Sequence, residues 1–185
     1  LKFTWYISAY MKTHGQRYCA FTLNIGKGLL GKEDWSNKTP EEIKDLKNKM
    51  RERLKTAIPE EQYPRLFAIE LDDAGRPHIH GIVFGCTKQQ LDKHREAIKK
   101  AGGKWSSNNS KRQLFIKERQ GFDDAIGWIS YSTKDSDEYL YIPQHIRDNG
   151  KAHYLATKQK IDELQDSNRI HSSSKHPVQD TNQLD

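Results

Sequence analysis

The sequence predicts an α+β fold, an antiparallel sheet with helices on one face and an open face opposite. Three observations carry this. Strand-like and helix-like stretches alternate in the order strand, helix, strand, strand, helix, strand. The middle two strands are separated only by Asp72-Asp73-Ala74-Gly75, a turn composition that makes them a hairpin. Both helices in this order begin at a residue suited to capping, Thr39 and Thr87.

Residues 1–16 form an N-terminal arm or an edge strand, with Trp5, Tyr6, Ile7 and Tyr10 as its apolar residues. Tyr18 to Ile25 is rich in aromatic and β-branched residues and reads as the first strand. The glycine- and lysine-containing stretch 26–32 fits neither a P-loop nor a dinucleotide fingerprint and is a connection. Thr39-Pro40-Glu41-Glu42 opens the first helix with a capping box, and Ile43, Leu46, Met50 and Leu54 recur at helical spacing. Arg65–Leu71 and the stretch after Pro77 are the hairpin strands. Leu91, His94, Ala97 and Ile98 line the second helix, which Gly102-Gly103 ends. A polar loop at 106–110 leads to a fourth strand, 113–117. A third helix starts at Phe122 and runs towards Lys134. Residues 136–166 are a helical extension, and 167–185, without apolar periodicity, are a disordered tail. With residues 17–135 as the central domain, the order is that of the ferredoxin-like split βαβ fold.

The 185 residues suffice for one domain with a core. No apolar run approaches the roughly 20 residues of a membrane span. The first residues lack a secretory pattern, and the absence of an initial Met leaves room for residues upstream. Cys19 and Cys86 both sit in apolar strand-like runs, which reads as two small core residues in a reducing interior, not as a disulfide or a zinc site. The net charge of +6 favours a polyanionic partner, nucleic acid first.

The chemistry centres on Pro77-His78-Ile79-His80-Gly81. Alternation along a strand puts His78 and His80 side by side, opposite Ile79 and Val83, so both belong on the open face. Two imidazoles there can chelate one divalent ion. On the partner strand Glu70 shares that face beside His78, and Asp72 has the same parity and is the reserve ligand. Imidazoles with a carboxylate suit Mg²⁺ or Mn²⁺ with positions left open for substrate oxygens. In the third helix Tyr131 and Lys134 share a face that Gly127 leaves uncrowded, while Ala125, Trp128 and Ile129 form the stripe that packs on the sheet. A tyrosine hydroxyl beside an ammonium is a candidate nucleophile for phosphate chemistry.

Three blocks in order, Phe21-Thr22-Leu23-Asn24, Pro77-His78-Ile79-His80-Gly81 and Tyr131-Ser132-Thr133-Lys134, resemble those of the HUH endonucleases. The likeness is to rolling-circle replication initiators, the Rep proteins, with a single catalytic tyrosine. It implies a metal-dependent DNA endonuclease and strand transferase with His78, His80 and Glu70 as ligands of Mg²⁺ or Mn²⁺, Tyr131 as nucleophile and Lys134 assisting at the phosphate or the metal. Its substrate would be single-stranded origin DNA, nicked and joined through a 5′-phosphotyrosine to start rolling-circle replication. A host helicase and polymerase would be the partners, in a bacterial cytoplasm or, for a eukaryotic virus, a nucleus. No membrane is involved. The first block carries no expected chemistry, and no Walker A sequence for a fused helicase follows. A relaxase with Tyr6 or Tyr10 as nucleophile, or a single-tyrosine transposase, shares the chemistry. A non-catalytic module of RNA-recognition type shares the architecture but expects aromatic residues where this face carries histidines.

Overall fold

The computed structural model describes residues 2–31, 34–105, 112–134 and 138–173. The chain runs α1 (Lys2–His14), β1 (Arg17–Asn24), α2 (Lys27–Leu30), α3 (Pro40–Ala57), β2 (Arg65–Leu71), β3 (Pro77–Phe84), α4 (Leu91–Gly102), β4 (Leu114–Gln120), α5 (Phe122–Ser132), β5 (Leu140–Tyr141) and α6 (Gln144–Ser173). The sheet is antiparallel in the order β4-β1-β3-β2-β5. Its first four strands follow the expected ferredoxin-like order, and β5 adds a fifth at the edge of β2. The fold is α+β.

Each strand sends alternate residues to two apolar clusters. Phe21, Leu23, Phe67, Ile69, Ile79, Val83, Leu114 and Ile116 meet Ile43, Leu46, Met50 and Leu54 of α3 and Ile98 of α4 on one face. Gly81 is needed there, because a Cβ at this position would lie 2.5 Å from the Phe21 ring and 2.8 Å from the Leu66 carbonyl. The helix α3 begins as its sequence dictates. The Glu42 amide donates to Thr39 Oγ1 and the Thr39 amide donates to Glu42 Oε2, closing the capping box. Thr39→Ala removes one partner of that box and is expected to lower stability by about 1 kcal/mol in urea unfolding, with no change in slope. At the other end, the buried Arg65 guanidinium donates to the Leu54 and Ile58 carbonyls and so satisfies the end of α3.

The second face carries its own helices. Ile7, Tyr10 and Met11 of α1, Ala125 and Ile129 of α5 and Ile146 of α6 pack on Tyr18, Ala20, Leu66, Ala68, Ile82 and Phe84. The N-terminal segment is therefore a helix packed on α5 and α6, not an edge strand or a loose arm. Its large apolar residues find more buried area there than an edge strand offers. The face stays polar only towards Asn24, Glu70 and His78.

Three further differences from the sequence reading concern local structure. Cys19 and Cys86 are joined by a disulfide, because pairing of β1 with β3 brings their Cα atoms to 5.6 Å. The two cysteines thus give no argument for a reducing compartment. The stretch 26–32 contains the short helix α2. The N-cap of α4 is Gln90, and Thr87 lies one turn earlier, where its amide donates to Gln90 Oε1. The polar loop at 106–110 lies outside the described residues, as does the expected tail beyond Ser173, while α6 continues past residue 167. Among the described residues no helix is long and apolar enough to cross a membrane.

Candidate metal centre and tyrosine

The hairpin register builds the centre. Glu70 pairs with His78 and Ala68 with His80, so one strand carries both imidazoles and its neighbour the carboxylate on the same face. Glu70 Oε2 lies 3.2 Å from His80 Nε2 and 3.7 Å from His78 Nε2. One ligand atom from each of the three lies within 4.8 Å of the others, the cluster among the described residues able to hold a metal ion. Glu70 Oε2 is buried and takes part in no hydrogen bond. An anionic oxygen left that way, facing two imidazole nitrogens, fits a cation between them. The other oxygen, Oε1, is 2.9 Å from Lys134 Nζ. Asp72, the reserve ligand, is used by the hairpin turn. It accepts the Ala74 and Arg76 amides at 3.0 and 2.9 Å and pairs with the Arg76 guanidinium at 2.8 Å.

The outer nitrogens of the rings are engaged as metal-ligating histidines require. His78 Nδ1 faces the Arg76 carbonyl at 3.4 Å, and a carbonyl only accepts, so the proton belongs on Nδ1 and Nε2 keeps its lone pair. His80 Nδ1 is 2.9 Å from Thr22 Oγ1. Thr22 belongs to the first sequence block, for which no chemistry is expected from the sequence. It holds the His80 ring because β1 pairs with β3 in a register that sets Thr22 opposite His80. Strand alternation within β1 shows which residues share a face with Thr22, but the register with a strand more than fifty residues on comes only from the sheet.

Burial lowers the His80 pKa to about 4, helped by the charge of His78 and of Lys134 and opposed by Glu70. The ring is therefore neutral at neutral pH. An unfolded histidine titrates near 6.5, so between that value and about 4 the unfolded chain binds the extra proton. Stability is fully present above the upper value and is lost as pH falls through the window. Metal-free protein should lose up to about 3 kcal/mol across it in denaturant titrations, and His80→Gln should lose distinctly less.

The third helix brings the tyrosine. Ala125 and Ile129 are fully buried under α5, and the Trp128 indole donates to the Gly81 carbonyl at 3.1 Å. The expected packing stripe is thus the one observed. Tyr131 stays 53% exposed, with its ring 5.6 Å from that of His80. Lys134 lies beyond the helix, which ends at Ser132, so the two residues do not share a helix face as expected. The turn after Ser132 still returns the Lys134 ammonium to 4.9 Å from the Tyr131 ring centre. The other tyrosines that could serve as nucleophiles are placed otherwise. Tyr10 is buried and stacked on His14, and Tyr6 packs beside Gly150 of α6. The Tyr141 hydroxyl donates to Glu60, and Tyr139 packs on the core below the sheet.

A ferredoxin-order sheet with a carboxylate and two neutral imidazoles beside an exposed tyrosine defines a metal-capable α+β protein equipped for phosphate chemistry. Residues 18–136, well over half of the chain, match the family of the replication-associated protein ORF2, and the chain belongs to that family. No curated protein and no solved structure matches it.

Proposed function

We propose that the protein is an HUH endonuclease that initiates rolling-circle replication by nicking and rejoining single-stranded origin DNA. The observation that carries this is the buried, unbonded Glu70 oxygen between His78 and His80, with the Tyr131 ring beside His80. The replication-associated family supports the biological setting. Glu70, His78 and His80 would hold Mg²⁺ or Mn²⁺. Bound there, the ion supplies polarisation of a phosphate and neutralisation of its charge.

In the proposed step the Tyr131 hydroxyl attacks the phosphorus of one phosphodiester. A bond from Tyr131 Oη to phosphorus forms and the bond to the 3′ oxygen breaks. The phenolic proton is released, and the departing oxygen takes up a proton to become a 3′-OH. One phosphodiester replaces another, so the reverse reaction rejoins the strand without an energy source. Lys134, already paired with Glu70 and lying against the Tyr131 ring, would set the phosphate over that ring. Thr22 is a positioning residue that orients His80.

Purified protein incubated with Mn²⁺ and single-stranded origin oligonucleotides labelled on the 3′ side of the cut should give a labelled protein band that survives denaturation. A nick without such a band means that water is the nucleophile, and the reading fails.

A further inference from the structure

We infer that Phe115, on the outer strand of the sheet, is a base-stacking residue for the single strand that enters the site, an inference that rests on the function proposed above. Its neighbours Leu114 and Ile116 are buried in the core, whereas Phe115 is 53% exposed on the other face. That face is the one that carries the histidines. Phe115 pairs with Thr22, and Thr22 pairs with His80, so a ring, a hydroxyl and an imidazole lie in one row across β4, β1 and β3. Two strand spacings put the Phe115 backbone roughly 10 Å from that of His80, within reach of a neighbouring nucleotide.

Phe115 belongs to neither apolar cluster, so the core does not account for it. Its surroundings suit a polyanion with unpaired bases. Lys117 follows on the same face of β4 and is exposed. Arg119 comes next and lines a cleft of about 430 Å³ with Asp123, Asp124, Gly127, Trp128 and Tyr131. Of the two acids, Asp124 is paired with the Arg119 guanidinium at 2.7 Å and accepts the Tyr18 hydroxyl. Gly127 keeps the cleft open, since a Cβ there would meet nothing within 4 Å. An exposed ring flanked by cations along one groove is the usual platform for single-stranded nucleic acid. Here that groove leads to Tyr131.

Fluorescence anisotropy with labelled oligothymidylate tests this, using the full chain in EDTA so that cleavage does not intervene. Phe115→Ala and Phe115→Leu should each weaken binding about ten-fold, the scale of one lost aromatic stack, and Phe115→Tyr should bind within about two-fold of the parent. The salt slope should stay unchanged in all three, because no phosphate contact is removed, while Lys117→Ala should flatten it by about one. Photocrosslinking through 5-iododeoxyuridine should join the DNA to Phe115. Binding by Phe115→Ala equal to that of the parent, or restored as well by Leu as by Tyr, overturns the inference. So does loss confined to self-association. Stacking with no phosphotyrosine adduct in the Mn²⁺ reaction would instead overturn the catalytic reading and leave this contact standing.

Discussion

Tyr131→Phe is expected to abolish the covalent protein–DNA band and the nick together, a loss on the order of a thousand-fold or more, as for removal of other enzymic nucleophiles. The substitution deletes one oxygen from a half-exposed ring, so packing on α5 is untouched. Binding of DNA and of Mn²⁺ should remain within about two-fold of the parent, because the hydroxyl is not among the metal-capable ligand atoms. Lys134→Ala should slow the reaction and leave the adduct chemistry in place. An adduct still formed by Tyr131→Phe would move the nucleophile to another tyrosine and remove the significance of the ring beside His80.

The second large effect concerns the metal. If the ion binds only the folded protein, Mn²⁺ at a hundred times its dissociation constant should raise stability by about 2.7 kcal/mol. His78→Ala combined with His80→Ala should erase that increment, because it removes two of the three ligand residues. Glu70→Gln keeps the shape but replaces the anionic oxygen that faces both rings, and should lose most of it. Thermal scans with and without Mn²⁺ read both. An undiminished response in the double variant would place the ion elsewhere.

Much of this arrangement is legible in the sequence, for physical reasons that also mark where legibility stops. The capping box at Thr39 and the hairpin turn are local, and local chemistry decides them. Parity along a hairpin of known turn puts Glu70 beside His78 without any long-range knowledge. The disulfide and the Thr22–His80 contact both depend on the register between β1 and β3, which no neighbouring residue specifies. Helix α1 is rich in Trp, Tyr, Ile and Phe, residues that favour strands by propensity, and only packing against α5 and α6 makes it helical. The two-residue strand β5 is too short to carry a pattern.

The anchoring of α5 has a consequence for the step after cleavage. Buried Ala125 and Ile129 and the Trp128–Gly81 hydrogen bond join the helix that bears Tyr131 to the same strands that bear Glu70, His78 and His80. A DNA end esterified to Tyr131 would therefore be tethered to a fixed point beside the metal-capable cluster, and a 3′-OH held there would meet it at a high effective molarity. Religation would then compete with strand departure without any hinge having to close. The balance between nicked and resealed DNA would be governed by how quickly the free end diffuses off the protein, a quantity that strand tension can set from outside.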